Sequence, residues 1–333
     1  MSDIIKNNSD FLYIYEAINC NPNGDPDQEN KPRMDYDTKT NLVTDTRVKR
    51  YIRDYLSNQG NEIFVNMENE NKVSPDSKLE AVVERILSDE KEMNSLFESD
   101  TELLEKFREI IKDKKDADSI LDALQKKKNK ELNSFILMQL VKQKFVDIRM
   151  FGSAFAVKEF KKPLTGPIQI NWGYSLNKVE LIDSNSIVTI MNDDESTFGK
   201  DYRVYYSLLA FNGTINKFAA KTTGLTDEDV NLFRSSIWDS MPALPTRSKL
   251  NQYPKLYVEI VYNEKFSNGY FGDLRNYVSV KPINNLEDKQ VRKLGDLNIN
   301  FKQLTDLLSN NTAVDKPIRE YIIQKSNDIN FSV

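Results

Sequence analysis

Histidine is absent from all 333 residues. Without an imidazole, Ser/His/Asp and Cys/His nucleophile chemistry, histidine acid–base catalysis and every zinc site that needs a histidine ligand are excluded. A hydrolase built on this chain would have to work through carboxylates and a hard metal. Cysteine is nearly absent: Cys20 alone can close no internal disulfide and build no multi-thiolate metal site, which agrees with a reducing compartment. Long hydrophobic runs are missing too. The longest apolar stretch, Phe135 to Leu140 with Val141 after it, is broken by Gln139 and falls far short of the roughly 20 residues of a membrane span. The first ten residues carry Asp3, Asp10 and a single Lys6 where a secretory leader would have a basic start and an apolar run. A cytoplasmic location with no membrane partner is expected.

What is present suffices for one large core or two modest ones: 39% of the residues are hydrophobic and 29% charged. The 46 Lys and Arg against 51 Asp and Glu leave a net charge of −5, which taken as an average argues against a polyanion partner. The distribution says otherwise. Residues 66–133 hold 18 acids and 13 bases, the whole of the imbalance, so the remainder is neutral. Within it, residues 142–178 carry seven bases (Lys142, Lys144, Arg149, Lys158, Lys161, Lys162, Lys178) against Asp147 and Glu159, and residues 246–255 add Arg247, Lys249 and Lys255 with no acid. A polyanion site fits an acidic protein if these segments share a face. Scattered, solvated lysines are the alternative.

The aromatic and β-branched run Phe11 to Ile18 predicts a strand covered on both sides, with Phe11, Tyr13 and Tyr15 on one face and Leu12, Ile14 and Ile18 on the other. In residues 19–37, three prolines, Gly24 and four asparagines predict a long irregular loop. Thr44 or Asp45 then caps a helix to about Leu56, with Arg47, Arg50 and Arg53 three apart on a basic face. From Pro75 to about Lys144 the pattern is helical, an inserted all-helical subdomain at 61–144. Strands are expected at Phe145 to Val157, Pro167 to Tyr174, Lys178 to Met191, Arg203 to Ala219 and Leu256 to Tyr262, with a basic turn from Lys161 to Pro167. A helix runs from Thr226 to about Trp238 and ends at Pro242 and Pro245. Short helices follow at Phe301 to Leu308 and Ile318 to Gln324. The order is that of an α+β, ferredoxin-like antiparallel sheet carrying one large helical insertion.

Four constellations bear chemistry. The loop Asn21-Pro22-Asn23-Gly24-Asp25-Pro26-Asp27, with Arg33, has amides and a glycine that let backbone approach a phosphodiester and an arginine to pair with it; Asn, Pro and Gly are also ordinary turn residues. Its acids Asp25, Asp27, Glu29, Asp35 and Asp37 alternate as metal ligands would, but lack the glycine and distal glutamate of a calcium loop, so no metal or other cofactor is expected. The helix with Arg47, Lys49, Arg50 and Arg53 is either a phosphate-binding face or a solvated one. Asp147 to Gly152 and Gly166 to Gly173 set Arg149, Phe151 and Trp172 on adjacent strands as a base-stacking platform, unless the aromatics are core. Asp183 to Arg203 reads as a projecting hairpin with an acidic tip beside Phe198 and Gly199. A hairpin that merely decorates a sheet is the alternative.

NPNGDPDQENKPRMD after the first strand, TDTRVKRYIRDY on the next helix, DIRMFGSAF, TGPIQINWGYSLN and TFGKDYRVYYSLLAFNGTINKFA together resemble the Cas7 family, the repeated backbone subunit of type I CRISPR Cascade complexes, nearest the type I-B branch. The resemblance covers roughly residues 10–60 and 145–262, in chain order. It implies an RNA-recognition-like palm (1–60 and 145–333), a helical insertion called the fingers (61–144) and a thumb hairpin (about 183–203). It further implies that copies of the subunit stack along a guide RNA (crRNA), with other Cascade subunits and, through the guide, target DNA as partners. By position, Asn21, Asn23, Gly24, Lys49, Arg53, Arg149 and the strand bearing Gln169, Asn171 and Trp172 would border the guide backbone. Were the thumb to reach across the guide, Phe198, Lys200 and Arg203 would make the contact. The family is non-catalytic in type I systems, while type III relatives cut RNA with an aspartate in the loop after strand one. A metal-dependent endoribonuclease using Asp25 is therefore one alternative, and a protein-only assembly scaffold is another.

Overall fold

The computed structural model describes residues 3–65, 91, 96–97, 100–112, 117–124, 126–157, 160–182, 186–189 and 197–333. It is a mixture of helices and antiparallel sheet that divides into two compact units.

The larger unit, Lys6–Tyr55 with Ile168–Lys217 and Phe233–Val333, is built on an eight-stranded sheet. Its strands are β1 (Ser9–Cys20), β2 (Met34–Asp35), β3 (Thr40–Val43), β4 (Ile168–Ile170), β5 (Gly173–Ser175), β6 (Val204–Ile215), β7 (Gln252–Tyr262) and β8 (Ile318–Lys325). They lie in the order β8-β7-β1-β6-β5-β3-β2, with β4 also on β6, and every pair is antiparallel. β1 is central, running from Ser9 opposite Ile215 to Cys20 opposite Val204. Nine consecutive buried residues reflect its covering on both faces, as the aromatic alternation requires.

On one face, Phe11 meets Phe233 with ring centroids 5.4 Å apart, and Tyr15 stacks on Phe211 at 5.8 Å. Tyr13 reaches Met241 on the same side. On the other face, Leu12 and Ile14 join Tyr206, Leu208, Val258 and Ile260 beneath Leu274, Leu297, Phe301, Leu304, Leu308 and Phe331 from the C-terminal third. The hairpin Ser186–Thr189 with Thr197–Lys200 also belongs to this unit, paired from Ser186–Lys200 to Thr189–Thr197.

The second unit comprises Met1–Ile5, Leu56–Pro167 and Phe218–Leu232. Its helices Thr101–Ile111, Ala117–Leu124 and Lys130–Lys144 surround a core of Phe97, Phe107, Leu132, Ile136, Leu140 and Phe145. Phe97 stacks on both Phe107 and Phe135. No helix of the described residues is long and apolar enough to cross a membrane.

Seven sequence expectations need correction. Residues 146–151 form a short helix, and only Gly152–Val157 is strand: Val146, Ile148, Met150 and Phe151 are all buried, while the buried Asp147 carboxylate accepts from the Phe64 and Val65 amides at 2.8 and 3.1 Å. The expected turn from Lys161 is strand Phe160–Thr165, hairpinned to Gly152–Val157. β6 ends at Ile215, and Lys217–Thr223 is helical. Between 178 and 191 the described strand is Ser186–Thr189 alone, and 183–185 and 190–196, the expected tip, lie outside the described residues. The helix from Asp227 continues through Pro242 to Ala243.

The sixth correction is the largest. Ile318 to Gln324 is strand β8 and not a helix: Ile318, Tyr321 and Ile322 satisfy helical spacing, but the β-prone residues find a partner in β7, from Leu256–Lys325 to Tyr262–Ile318. The loop after β1 is also less irregular than expected. Gly24–Asp25 pairs with Lys31–Pro32 around a single 3-10 turn.

Candidate functional site

Where β1 ends, the backbone turns through Asn19, at φ 47°, into a loop held by its own amides. Asn21 donates from Nδ2 to the Asn30 carbonyl at 2.7 Å, and its backbone N–H donates to Ser248 at 2.9 Å. Asn23 Oδ1 accepts from both the backbone N–H and the hydroxyl of Thr44, at 2.8 and 3.0 Å. Thr44 in turn accepts from the Arg47 N–H and so caps the basic helix Asp45–Asn58. The loop and the start of that helix are therefore one hydrogen-bonded piece. At Gly24 a β-carbon would lie 2.1 Å from Asn30 Oδ1, so any side chain there must displace Asn30. The Arg33 carbonyl accepts from Asn41 Nδ2 and the Leu42 N–H, fixing the far end of the loop to β3.

Cations gather round this end of the sheet. Arg47 lies 4.0 Å over the Tyr51 ring. Lys249 donates from Nζ to the Asn21 carbonyl. Burial pushes its ammonium down to about 8, with the Arg47 charge acting in the same direction. The free thiol of Cys20 is buried, and desolvation raises it to about 12, so it is no nucleophile. Arg203 bonds the Asn19 carbonyl at 3.1 Å and pairs with Asp201, which also faces Arg247 at 3.5 Å. Arg33 lies 5.8 Å over the ring of Trp172, a residue that is 48% exposed.

Five buried side-chain atoms have no hydrogen-bond partner among the described residues: Tyr15 OH, Asn21 Oδ1, Arg33 Nε, Arg47 Nε and Gln252 Oε1. All belong to this neighbourhood, since Gln252 Nε2 donates to Tyr51 OH and to the Lys249 carbonyl. Buried polar atoms are rarely left unpaired, and these five mark the end of β1 as the place where hydrogen bonding among the described side chains is least complete.

Other expected contacts are engaged within the protein. Lys49 pairs with Asp45 at 2.8 Å and Arg50 with Asp54 at 2.6 Å, each one turn along the helix; Arg53 is half-buried. Gln169 and Asn171 are exposed beside Trp172. Lys200 is exposed and bound to Glu29. The Phe198 side chain lies outside the described set.

Arg149 belongs to the second unit and sits on the short helix, not on a strand beside Trp172. It makes a bidentate pair with Asp229 at 2.7 and 2.8 Å and caps the helix Lys130–Lys144 through the Lys142 and Gln143 carbonyls. Phe151 is core, so the two-strand stacking platform is corrected to the single exposed ring of Trp172. Asp25 is held by Arg33 at 3.4 Å and accepts from the Asp27 N–H. Among the described residues no group of three or more Asp, Glu or Cys is disposed to hold a metal.

Sequence reasoning counted Lys249 as a base but missed its place against Asn21, and it missed Arg275, Glu29 and Tyr202. Arg275 donates to the Trp172 carbonyl at 2.7 Å and stacks 4.0 Å over Tyr174, positioning the exposed indole. The Arg275–Asp273 pair is local and visible in the sequence, but the contacts that bring Arg275 to Trp172 and Glu29 to Tyr202 join residues 103 and 173 apart, which no local pattern marks.

Residues 7–302 match the family model described as CRISPR-associated protein Cas7. The CRISPR-associated protein Cas7 of Haloferax volcanii is 27% identical over 325 residues, covering 91% of this chain and 83% of that protein. Two solved chains, described as parts of a CRISPR RNA-guided surveillance complex, pre-nicking, and of a CRISPR RNA-guided surveillance complex, are similar at 12% identity. Their TM-scores are 0.45 and 0.41; the first match covers 78% of this chain and 80% of that one, the second 79% and 78%.

Proposed function

Because this chain belongs to the CRISPR-associated Cas7 family, we propose that it is a guide-RNA-binding backbone subunit. Copies of it stack along the crRNA in a surveillance complex, beside other Cascade subunits, and present the guide to target DNA. The carrying observation is the gathering of Arg33, Arg47, Lys249, Arg203 and Arg247 round the loop after β1, beside the exposed Trp172. A phosphodiester supplies countercharge for the cluster and accepts from those of its N–H donors that reach the surface.

The core supports an RNA-recognition-like palm. β1, the helix Asp45–Asn58, β4 with β5, β6, the helix from Asp227 and β7 follow in βαββαβ order, with β7-β1-β6-β5 as spatial order. Such a sheet can stack bases on its open face, but here that face lies under the C-terminal third, so contact falls to the loop edge and Trp172. In this reading the larger unit, Lys6–Tyr55 with Ile168–Lys217 and Phe233–Val333, is the palm expected at 1–60 and 145–333, the second unit holds the fingers expected at 61–144, and the hairpin Ser186–Thr189 with Thr197–Lys200 belongs to the thumb expected at about 183–203. Its role is to bind and align, with sequence reading left to base pairing. The nuclease alternative draws no support from Asp25, whose carboxylate is occupied by Arg33 and the Asp27 amide.

Titration with single-stranded RNA at several salt concentrations tests the reading. Log affinity should fall linearly with log salt, and each lost phosphate contact, at Arg47 or Arg203 for example, should reduce the slope by roughly 0.7. Salt-independent binding, or slopes unchanged in both alanine variants, would remove the cluster from the RNA site.

A further inference from the structure

Glu29 stands where the local backbone gives no reason for a glutamate. It and Asn30 are successive left-handed residues, at φ 51° and 62°, a conformation that glycine or asparagine adopts more readily than an acid with a β-carbon. What the position does provide is reach. Glu29 Oε2 accepts from the Tyr202 hydroxyl at 2.7 Å and from Lys200 Nζ at 3.0 Å. These two bonds, the tyrosine's first, hold its carboxyl below the ordinary value. Lys31, across the same loop, lies 5.0 Å from the Tyr202 ring.

Through these contacts and the Arg203 bond to Asn19, the base of the hairpin arm Thr197–Lys200 is tied to the loop after β1 at two points. Of the other loop acids, Asp25 turns to Arg33 and Asp35 to Thr38 at 2.8 Å. An anionic oxygen about 3 Å from a lysine ammonium, flanked by a hydroxyl donor, is the arrangement a phosphate oxygen would adopt there. The pair is also exposed, 55% and 59% on its two sides, so it is held weakly enough to be exchanged for another anion.

Resting on the guide-binding reading above, we propose that Glu29 is an intramolecular stand-in for a phosphate: it competes with the guide backbone for Lys200, and its displacement couples RNA binding to release of the hairpin arm from the loop. Tyr202 is the positioning residue that keeps the carboxylate on Lys200. The acid thereby tunes how tightly this edge holds RNA, and it ties the arm while no phosphate competes.

The probe is a short adenine-only single-stranded RNA, titrated by fluorescence anisotropy against wild type, Glu29→Gln, Tyr202→Phe, the double variant, and Asp27→Asn, which removes an exposed acid of the same loop. Glu29→Gln should tighten binding by roughly threefold more than Asp27→Asn, since only Glu29 competes directly for a phosphate ligand. Tyr202→Phe changes no charge, yet should tighten binding in the wild-type background and have no further effect once Glu29 is Gln. In wild type, the amides of residues 197–203 should exchange faster with RNA bound than without it.

Equal effects of Glu29→Gln and Asp27→Asn, a Tyr202→Phe effect that persists in the double variant, or unchanged exchange on binding would each overturn the inference while leaving RNA binding intact. Wild-type protein that binds no RNA defeats the guide-binding reading and this inference with it.

Discussion

Replacing Lys249 by methionine should abolish a pH dependence of RNA binding that the wild type shows. Lys249 is withdrawn from water at the loop edge, and its ammonium sits at about 8 instead of 10.5 because burial and Arg47 disfavour its charge. For folding the sign follows directly. Between those two values the unfolded chain binds more protons than the native one, so stability rises with pH across the window, and the cost of burying the charge is fully present below about 8.

For RNA the sign reverses. A phosphate beside Nζ restores the charged form, and if it returns the group to 10.5, the linked affinity falls about tenfold between about pH 7 and pH 9. Adenine-only RNA removes titrating bases from the measurement, and calorimetry in two buffers of different ionisation enthalpy counts the protons taken up near pH 8. Lys249→Met should give weaker, flat binding with proton uptake reduced. A flat wild-type profile, or a slope that survives the substitution, would refute the placement of Lys249 against phosphate.

Other expectations follow from single contacts. Arg149→Ala should lower stability by about 3 kcal/mol, because it strands the Asp229 carboxylate and two helix-end carbonyls, and the salt slope of RNA binding should stay unchanged. Equal melting temperatures, or a shallower salt slope, would contradict that assignment. Gly24→Ala should leave the fold intact by circular dichroism and weaken RNA binding, since the new methyl must displace Asn30 and with it the anchor of Asn21; unchanged affinity would clear the loop of a binding role. Trp172→Ala should cost about 1–3 kcal/mol of RNA affinity if the exposed indole carries a base, and RNA should quench its fluorescence. Absence of both effects would leave Trp172 as surface.

What the sequence showed and hid has a common physical cause. β1 was legible because its alternating aromatic and aliphatic residues meet a core on each side, a local pattern with a local consequence. The basic helix and its Thr44 cap were legible for the same reason, but its partial self-neutralisation through Asp45 and Asp54 was overlooked even though the spacing of four was visible. β8 was misread because helical spacing and β-prone composition coincide there, and only pairing with β7, distant in the chain, decides between them. Arg149 was expected on a strand beside the aromatics, but it sits on a short helix, and its pair with Asp229, 80 residues away, was hidden from the sequence. Glu29 and Tyr202 were hidden likewise by a separation of 173 residues.

The most direct measurement is to purify the tagged full-length chain from its native cells, together with whatever it is bound to, and sequence the RNA that comes with it. A discrete population of guide RNAs of uniform length, lost on substitution of Arg47 and Lys249 together while the protein remains folded, is the expected result. Protein recovered in intact complexes but free of RNA, or carrying a random sample of cellular transcripts, would contradict a guide-binding role.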